Sequence, residues 1–235
     1  MPDPTVRTIL SPVFGAACHV LAVGRDAVVV DPGAGVTEAV TAEVAERGLT
    51  VHAVLATHGH PDHTWDAGRL CGALGVPFVV HEDDAASAAD PGAVLDALGG
   101  GTPASAGVGG ALRAAIEASG VASAVVPDHV APFATPGGAA VLEYGGLRLR
   151  ALHAPGHTPG SSLYVTDGVV LSGDVLFAGS VGRTDLPGGD PAAMARTLAD
   201  VVGSLDPALT VLPGHGPATT VARELATNPF LRSRG

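Results

Sequence analysis

The chain has 235 residues, of which 46% are hydrophobic and 15% charged, a composition typical of a globular protein and not of a disordered one. Its net charge of −11, without a basic stripe, argues against a nucleic-acid partner, and no apolar run is long enough to cross a membrane. Cys18 and Cys71 are too few for a disulfide framework, and residues 1–12 do not resemble a signal peptide, so we expect a cytoplasmic protein.

The first half of the chain alternates short β-rich runs with helical ones. A helix is predicted from Thr37, its N-cap, to Arg47, with Gly48 just beyond the C-cap. A second helix over Trp65–Leu74 makes Thr57–His63 a loop between a strand and a helix. The predicted strands of this half are Thr5–Leu10, Cys18–Val23, Ala27–Val30, Val51–Ala56 and Val76–Val80.

The middle of the chain is rich in glycine and alanine. Residues 99–110 offer little that could pack, so we predict a flexible insert there, followed by a short helix over Ala111–Ser119. No linker divides the sequence, and residues 1–235 are therefore predicted to form a single domain.

The second half returns to strands. Gly145-Gly146 and Asp167-Gly168 are two-residue hairpin signals. Asp190 is the predicted N-cap of a helix that has Pro191 at its first position and ends before Gly203. The predicted strands are Ala140–Tyr144, Leu147–His153, Ser162–Thr166, Val169–Ser172 and Leu209–Leu212. Strands with helices in both halves predict an α/β protein with mixed sheets covered by helices.

The segment Thr57–His63, with the sequence THGHPDH, carries the strongest chemical signal. Positions i and i+2 of an extended chain point to the same side, so His58 and His60 can converge on one ion. Asp62 and His63, after the turn at the proline, can face a second ion beside it. Imidazole and carboxylate ligands without a thiolate suit zinc, iron or manganese.

Three later segments have the same character. His157 lies in the turn PGHTPG, Asp174 in the segment SGD, and His215 in the segment PGHGP. Each is a single polar residue that follows a predicted strand and is flanked by glycine or proline. One such residue is weak evidence, but together with the first segment they form a coherent set of five histidines and two aspartates.

These four motifs resemble those of the metallo-β-lactamase-fold superfamily, and the resemblance covers almost the whole chain. It implies an αββα sandwich with a metal site at one edge of the two sheets. It also implies two divalent metal ions per chain, with zinc as the first choice and iron or a zinc–iron pair as alternatives. The implied ligands are His58, His60 and His157 for the first metal, Asp62, His63 and His215 for the second, and Asp174 as the bridge between them.

The loop Phe177–Asp190 and the tail Asn228–Leu231 are similar to the short members of the hydroxyacylglutathione hydrolase (glyoxalase II-like) branch. This likeness implies hydrolysis of a small acyl-thiol substrate by a metal-bridging hydroxide, with Asp62 and Asp174 as catalytic carboxylates. A thioester suits such a site because a thiol, with a pKa of about 8.5, can leave as thiolate without a strong acid.

The main alternative is a mononuclear-iron persulfide dioxygenase, a class that shares the loop Gly182–Asp185 and would hold its iron with His58, His157 and Asp174. The following residues, Leu186–Gly189, resemble the hydrolase branch instead. A lactonase or another ester hydrolase of the same fold stays open.

Outside the motifs the signals have two interpretations each. Arg183 is a candidate for binding a substrate carboxylate, or it pairs with Asp185 within its own loop. Asp31 orients a liganding histidine, or it belongs to an ordinary turn. Trp65 forms a wall of the site, or it packs in the core. His153 aligns with no ligand and is predicted to be structural.

Overall fold

The computed structural model describes residues 3–100 and 103–232. One mixed sheet contains, in spatial order, β1 (Thr5–Leu10), β2 (Ala17–Val23), β3 (Asp26–Val30), β4 (Thr50–Leu55), β5 (Phe78–His81) and β6 (Val130–Phe133). We call it sheet A. Its first three strands pair antiparallel, and β3 to β6 pair in parallel.

The second mixed sheet, sheet B, comes from the other half of the chain. It contains β7 (Ala139–Tyr144), β8 (Leu147–His153), β9 (Ser162–Thr166) and β10 (Val169–Gly173). A small hairpin of β11 (Leu176–Phe177) and β12 (Ser180–Val181) follows, and then β13 (Thr210–Pro213) and β14 (Thr219–Thr220). The order in sheet B is β14-β13-β10-β9-β8-β7. Both predicted hairpins, at Gly145-Gly146 and Asp167-Gly168, are confirmed.

Helices cover the outer face of each sheet. They are α1 (Thr37–Arg47), α2 (Pro61–Thr64), α3 (Ala67–Leu74), α4 (Ala85–Ala89), α5 (Pro91–Gly99), α6 (Pro103–Ser119), α7 (Pro191–Arg196) and α8 (Val221–Thr227). Short 3₁₀ turns lie at Glu82–Asp84 and Pro136–Gly138, and α7 continues through a π-helical turn over Thr197–Val201 into a 3₁₀ turn at Val202–Ser204. Among the described residues, no helix is long and apolar enough to span a bilayer.

The core has layers because successive residues of a strand point to opposite faces of its sheet. Val28 and Val30 of β3 pack between the two sheets, against Leu149 and Tyr164 of sheet B. Val29, between them in sequence, faces the helices on the outside of sheet A. A third cluster joins sheet B to α7 and α8. The arrangement is the predicted αββα sandwich.

Three predictions about local structure are wrong. Thr37 is the first residue of α1 and not its N-cap, which is Val36. A short helix, α2, lies inside the segment predicted as a loop. The third error concerns the predicted insert at 99–110, where α6 begins at Pro103 and runs for 17 residues, taking in the short helix expected at Ala111–Ser119. Residues 101 and 102 of that segment lie outside the described part of the chain.

Candidate metal centre

The seven predicted ligands meet at the edge where strands of both sheets end. The segment THGHPDH follows β4 of sheet A, while His157, Asp174 and His215 follow β8, β10 and β13 of sheet B. A hydrogen bond from Ala17 N to Gly214 O, 2.8 Å long, joins the two sheets beside His215. Residues that are more than 150 positions apart in the sequence therefore share one site.

The first motif bends sharply so that its side chains face inward. His60 is extended, with ψ 146°, and Pro61 opens α2 at the first helical position. This change from extended chain to helix separates the first two histidines of the motif from Asp62 and His63. The Thr64 hydroxyl donates to His60 O at 3.0 Å and closes the turn.

The ligand atoms fall into overlapping groups, each with its members within 4.8 Å of one another. The groups are His58, His60 and His157; His58, His63 and Asp174; and Asp62, His63 and His215. The first and last match the two ligand sets implied by the resemblance to the metallo-β-lactamase-fold superfamily. The structure thus brings all seven predicted ligands together.

Asp174 lies between the two outer groups. Its Oδ1 is 3.4 Å from His63 Nε2, and its Oδ2 is 3.7 Å from both His157 Nε2 and His215 Nε2. Asp62 Oδ2 is 3.2 Å from His215 Nε2 on the far side. A carboxylate whose oxygens lie beside histidines of both outer groups is placed as a bridging ligand would be.

Hydrogen bonds at Nδ1 orient four of the five imidazoles. His157 Nδ1 donates to Arg183 O at 2.8 Å, and His215 Nδ1 donates to Phe14 O at 3.3 Å, since a carbonyl oxygen only accepts. His63 Nδ1 donates to the carboxylate of Asp31 at 3.2 Å. In each ring Nδ1 donates to the fold and Nε2 faces the cluster, as in metal sites.

His58 reaches the same state through a relay. The Thr57 hydroxyl gives its single proton to Asp31 Oδ2 at 2.8 Å, so it accepts from His58 Nδ1 at 3.0 Å. Asp31 Oδ1 also accepts from Thr57 N at 2.6 Å. Of the two interpretations of Asp31, the structure therefore supports the one in which this residue orients liganding histidines.

Unpartnered buried atoms test whether the residues fit a metal. Among the described residues, His58 Nε2, His157 Nε2 and Asp174 Oδ1 are buried side-chain atoms of this site without a hydrogen-bond partner. Leaving a buried polar atom unpaired costs about 1–3 kcal/mol, and three such atoms at one point fit a cation-binding site. Imidazole and carboxylate donors, with no thiolate among them, suit zinc or iron.

The pKa values of the histidines differ between the two outer groups. Burial and the neighbouring histidines lower the pKa of His58 well below its usual value, and burial with the charge of His157 lowers the pKa of His60 to about 3. Burial also opposes the charged form of His63, but the carboxylates of Asp174, Asp62 and Asp31 outweigh it and raise the pKa of His63 to about 10. His58 and His60 are therefore already in the neutral form that binds metals.

A cavity of about 280 Å³ opens above the cluster. Beside the ligands, its lining is apolar except for Arg183: Phe14, Pro61, Leu98, Val108, Leu112 and Leu186. Arg183 also makes two hydrogen bonds to Asp185, at 2.7 and 2.8 Å. Both interpretations of Arg183 thus have support, because it fixes its own loop and also lines the cavity.

Other predicted residues lie outside the centre. Trp65 packs in a core cluster with Val13 and Leu112, and its Nε1 donates to Ala122 O at 3.0 Å. Cys18 and Cys71 are buried and free.

A second group, His81, Asp83 and His153, also has its ligand atoms close together. Both ring nitrogens that face Asp83 are already engaged, however, because His153 Nε2 donates to Pro159 O at 2.8 Å and His81 Nδ1 accepts from Asp83 N at 3.3 Å. This group is hydrogen-bonded within the fold, in keeping with the structural role predicted for His153.

Two buried carboxylates near the centre were missed by the sequence interpretation. Asp66 Oδ2 accepts from Val36 N at 3.0 Å and from Thr37 N at 3.1 Å, and so holds the start of α1. Asp84 accepts hydrogen bonds from the loop that carries His58 and His60 and from the loop that carries His157. Both residues bond to partners far along the chain, so the local sequence held no signal for them.

The Metallo-beta-lactamase superfamily model matches residues 11–215. The probable metallo-hydrolase YqgX of Bacillus subtilis (strain 168) is 35% identical over 204 residues, which are 86% of this chain and 85% of that protein. A hydroxyacylglutathione hydrolase of Anaeromyxobacter dehalogenans (strain 2CP-C) is 32% identical over 90% of this chain and 66% of its own length.

Solved structures give the same picture. The BLEG-1 B3 metallo-beta-lactamase is 30% identical with a TM-score of 0.73, over 97% of this chain and all of that one. The di-iron-bound form of TTHA1623 is 34% identical with a TM-score of 0.70, over 96% of this chain and all of that one. ETHE1 from Myxococcus xanthus, at 23% identity and a TM-score of 0.69 over 96% of this chain and 83% of that one, shares the fold.

Proposed function

The chain belongs to the metallo-β-lactamase superfamily, and from this we propose that it hydrolyses thioesters of small apolar acyl groups with the help of two divalent metal ions. The single observation that carries the proposal is the position of Asp174, whose carboxylate oxygens lie within 3.7 Å of histidines in both outer ligand groups. We assign His58, His60 and His157 to a first metal, and Asp62, His63 and His215 to a second. When bound, the metals would lower the pKa of a coordinated water and polarise the substrate carbonyl.

The charge state of Asp62 favours a leaving group that needs no proton. Burial opposes the charged form of Asp62, but His63, His215 and His60 together lower its pKa well below the usual range. Asp62 is therefore a carboxylate at neutral pH and has no proton to supply to a leaving group. A thiolate leaves readily without an acid, whereas an amine does not. This supports a thioester over an amide substrate.

The shape of the cavity supports a small acyl group. Its apolar wall comes from α5 and α6 through Leu98, Val108 and Leu112, and its volume is about 280 Å³. Such a wall excludes water from the carbonyl and holds an alkyl group by hydrophobic contact. The similarity to a hydroxyacylglutathione hydrolase supports thioester chemistry, while the thiol carrier is left to experiment.

The test joins metal content with a substrate panel. Protein purified without chelators is analysed for bound metals and then assayed for thiol release from S-lactoylglutathione and from short acyl thioesters of N-acetylcysteamine. We expect about two metals per chain and thioester hydrolysis, with Asp174→Ala losing both. His52→Ala is the matched control, because His52 pairs with Asp26 away from the centre and should leave both unchanged.

Other outcomes would overturn the proposal. One iron per chain with oxygen consumption on a persulfide would indicate the dioxygenase. Cleavage of a β-lactam or a lactone faster than any thioester would assign the site to another hydrolase class of this fold.

A further inference from the structure

Asp84 is a buried carboxylate that lies between the loop carrying His58 and His60 and the loop carrying His157. It ends the short 3₁₀ turn after β5, and the residue is only 1% exposed. Its Oδ2 accepts from Gly59 N at 2.9 Å and from the Thr158 hydroxyl at 2.6 Å. Its Oδ1 accepts from Gly160 N at 2.8 Å. One side chain thus joins a loop of sheet A to a loop of sheet B.

Both loops approach this segment so closely that they need glycine. A Cβ at Gly160 would lie 2.7 Å from the Cβ of Asp84. A Cβ at Gly59 would collide with the side chain of Ser87, three residues after Asp84. Neither loop can therefore shift toward Asp84, and the three hydrogen bonds prevent it from moving away.

The joined residues are next to proposed ligands. Gly59 lies between His58 and His60, and Thr158 follows His157 directly. The ring centroid of His157 lies 4.8 Å from that of His58 and 4.5 Å from that of His60. The distance between the two loops decides whether these rings can share one ion.

We propose that Asp84 is a positioning residue that fixes the spacing of the two loops and thereby gives the first metal position its affinity. The inference rests on the proposed metal centre. A carboxylate is the suitable group because it only accepts, and all three of its partners donate. Without it, binding energy from the metal would have to bring the loops together, and the affinity would fall accordingly.

The first experiment uses two substitutions at Thr158. Thr158→Val removes the hydroxyl that donates to Asp84 and keeps the shape, while Thr158→Ser restores a hydroxyl. Metal-free proteins are titrated with Zn²⁺ against a chromophoric chelator, which resolves the tighter and weaker binding steps. We expect Thr158→Val to weaken one of the two steps about 10-fold, and Thr158→Ser to bind like the wild type.

Asp84→Asn extends the test to the carboxylate itself. An asparagine offers one accepting oxygen and places a donor against a donor, so we expect a 10- to 100-fold loss at the same single step. The thermal midpoint of each metal-free variant is measured beside it, because a purely structural role would lower that midpoint and leave both zinc affinities unchanged. Such a result, or an equal loss at both steps, would overturn the inference.

The outcomes also separate this inference from the proposed function. A wild-type chain that binds no zinc would overturn the metal centre, and the positioning role with it. A wild-type chain that binds two zinc ions, with Thr158→Val and Asp84→Asn binding them equally well, would overturn only the role of Asp84. If Asp84→Asn does not fold, the Thr158 pair decides alone.

Discussion

Asp31→Asn should weaken the fold and metal binding together. The Asp31 carboxylate is 1% exposed and accepts from Thr57 N, the Thr57 hydroxyl and His63 Nδ1 at 2.6, 2.8 and 3.2 Å. An asparagine has one accepting oxygen, so in any orientation its amide nitrogen faces a buried donor. Its backbone is not a source of strain, because asparagine tolerates the φ of 57° that Asp31 adopts.

The magnitude follows from these three bonds. One unsatisfied buried donor costs about 1–3 kcal/mol, and the bonds that remain lose their charge assistance. We therefore expect the metal-free variant to be about 3 kcal/mol less stable to urea. Because Asp31 orients His63 directly and His58 through Thr57, we also expect a 10- to 100-fold loss of zinc affinity.

The matched control is Asp26→Asn. Asp26 also accepts from a backbone amide and lies beside a histidine, with Gly146 N and His52 Nε2 both at 2.7 Å, but it is on the surface and away from the centre. It should change stability by less than about 1 kcal/mol and leave zinc affinity intact. Equal effects of Asp31→Asn and Asp26→Asn on both measurements would refute the reasoning.

Two further predictions concern burial. Burial lowers the pKa of His19 to about 4. Between about pH 4 and pH 6.5 the unfolded chain therefore binds a proton at this residue that the folded chain does not bind. His19 should thus make the metal-free protein about 2 kcal/mol less stable at pH 5 than at pH 8. Urea unfolding of His19→Gln should show a weaker pH dependence, and an unchanged one would contradict the assignment. Leu112→Ala should cost about 2–5 kcal/mol and shift kcat/KM toward longer acyl thioesters, because Leu112 lies both in a core cluster and in the cavity wall. Leu95→Ala, in the same cluster but outside the wall, should lose stability without that shift in specificity, and the same shift in both would refute the cavity assignment.

The meeting of the seven residues could be predicted from the sequence because each motif contains its own evidence. His157, Asp174 and His215 each follow a strand and are flanked by glycine or proline. The close contacts explain the glycines, since a Cβ at Gly214 would lie 2.6 Å from His63 Cε1 and would collide with Asp174. Each ligand and the glycine that allows its close packing are adjacent in the sequence. The motif can therefore be recognised without knowledge of the fold.

Helix α6 could not be predicted in this way, because its stability is tertiary. Its glycines each cost about 1 kcal/mol of helix propensity. They are offset by Leu112 and Ile116, which pack with Val13 and Trp65 from distant parts of the chain. Gly109 has a packing role, since a Cβ there would lie 3.0 Å from both Gly99 N and Leu98 Cβ on α5. The glycine-rich composition, which suggested flexibility, therefore allows α5 and α6 to pack closely.

The division of the ligands between two sheets also sets the order of events during folding. A chain synthesised only as far as β6 holds His58, His60, Asp62 and His63 but none of the other three ligands. The last one, His215, is in place only when β13 has paired with β10, which precedes it by about forty residues in sequence. Because contacts between distant parts of a chain form late, the complete ligand set arises with the docking of the two sheets. The rate of zinc uptake during refolding would then report the rate of that docking, independently of any signal from secondary structure.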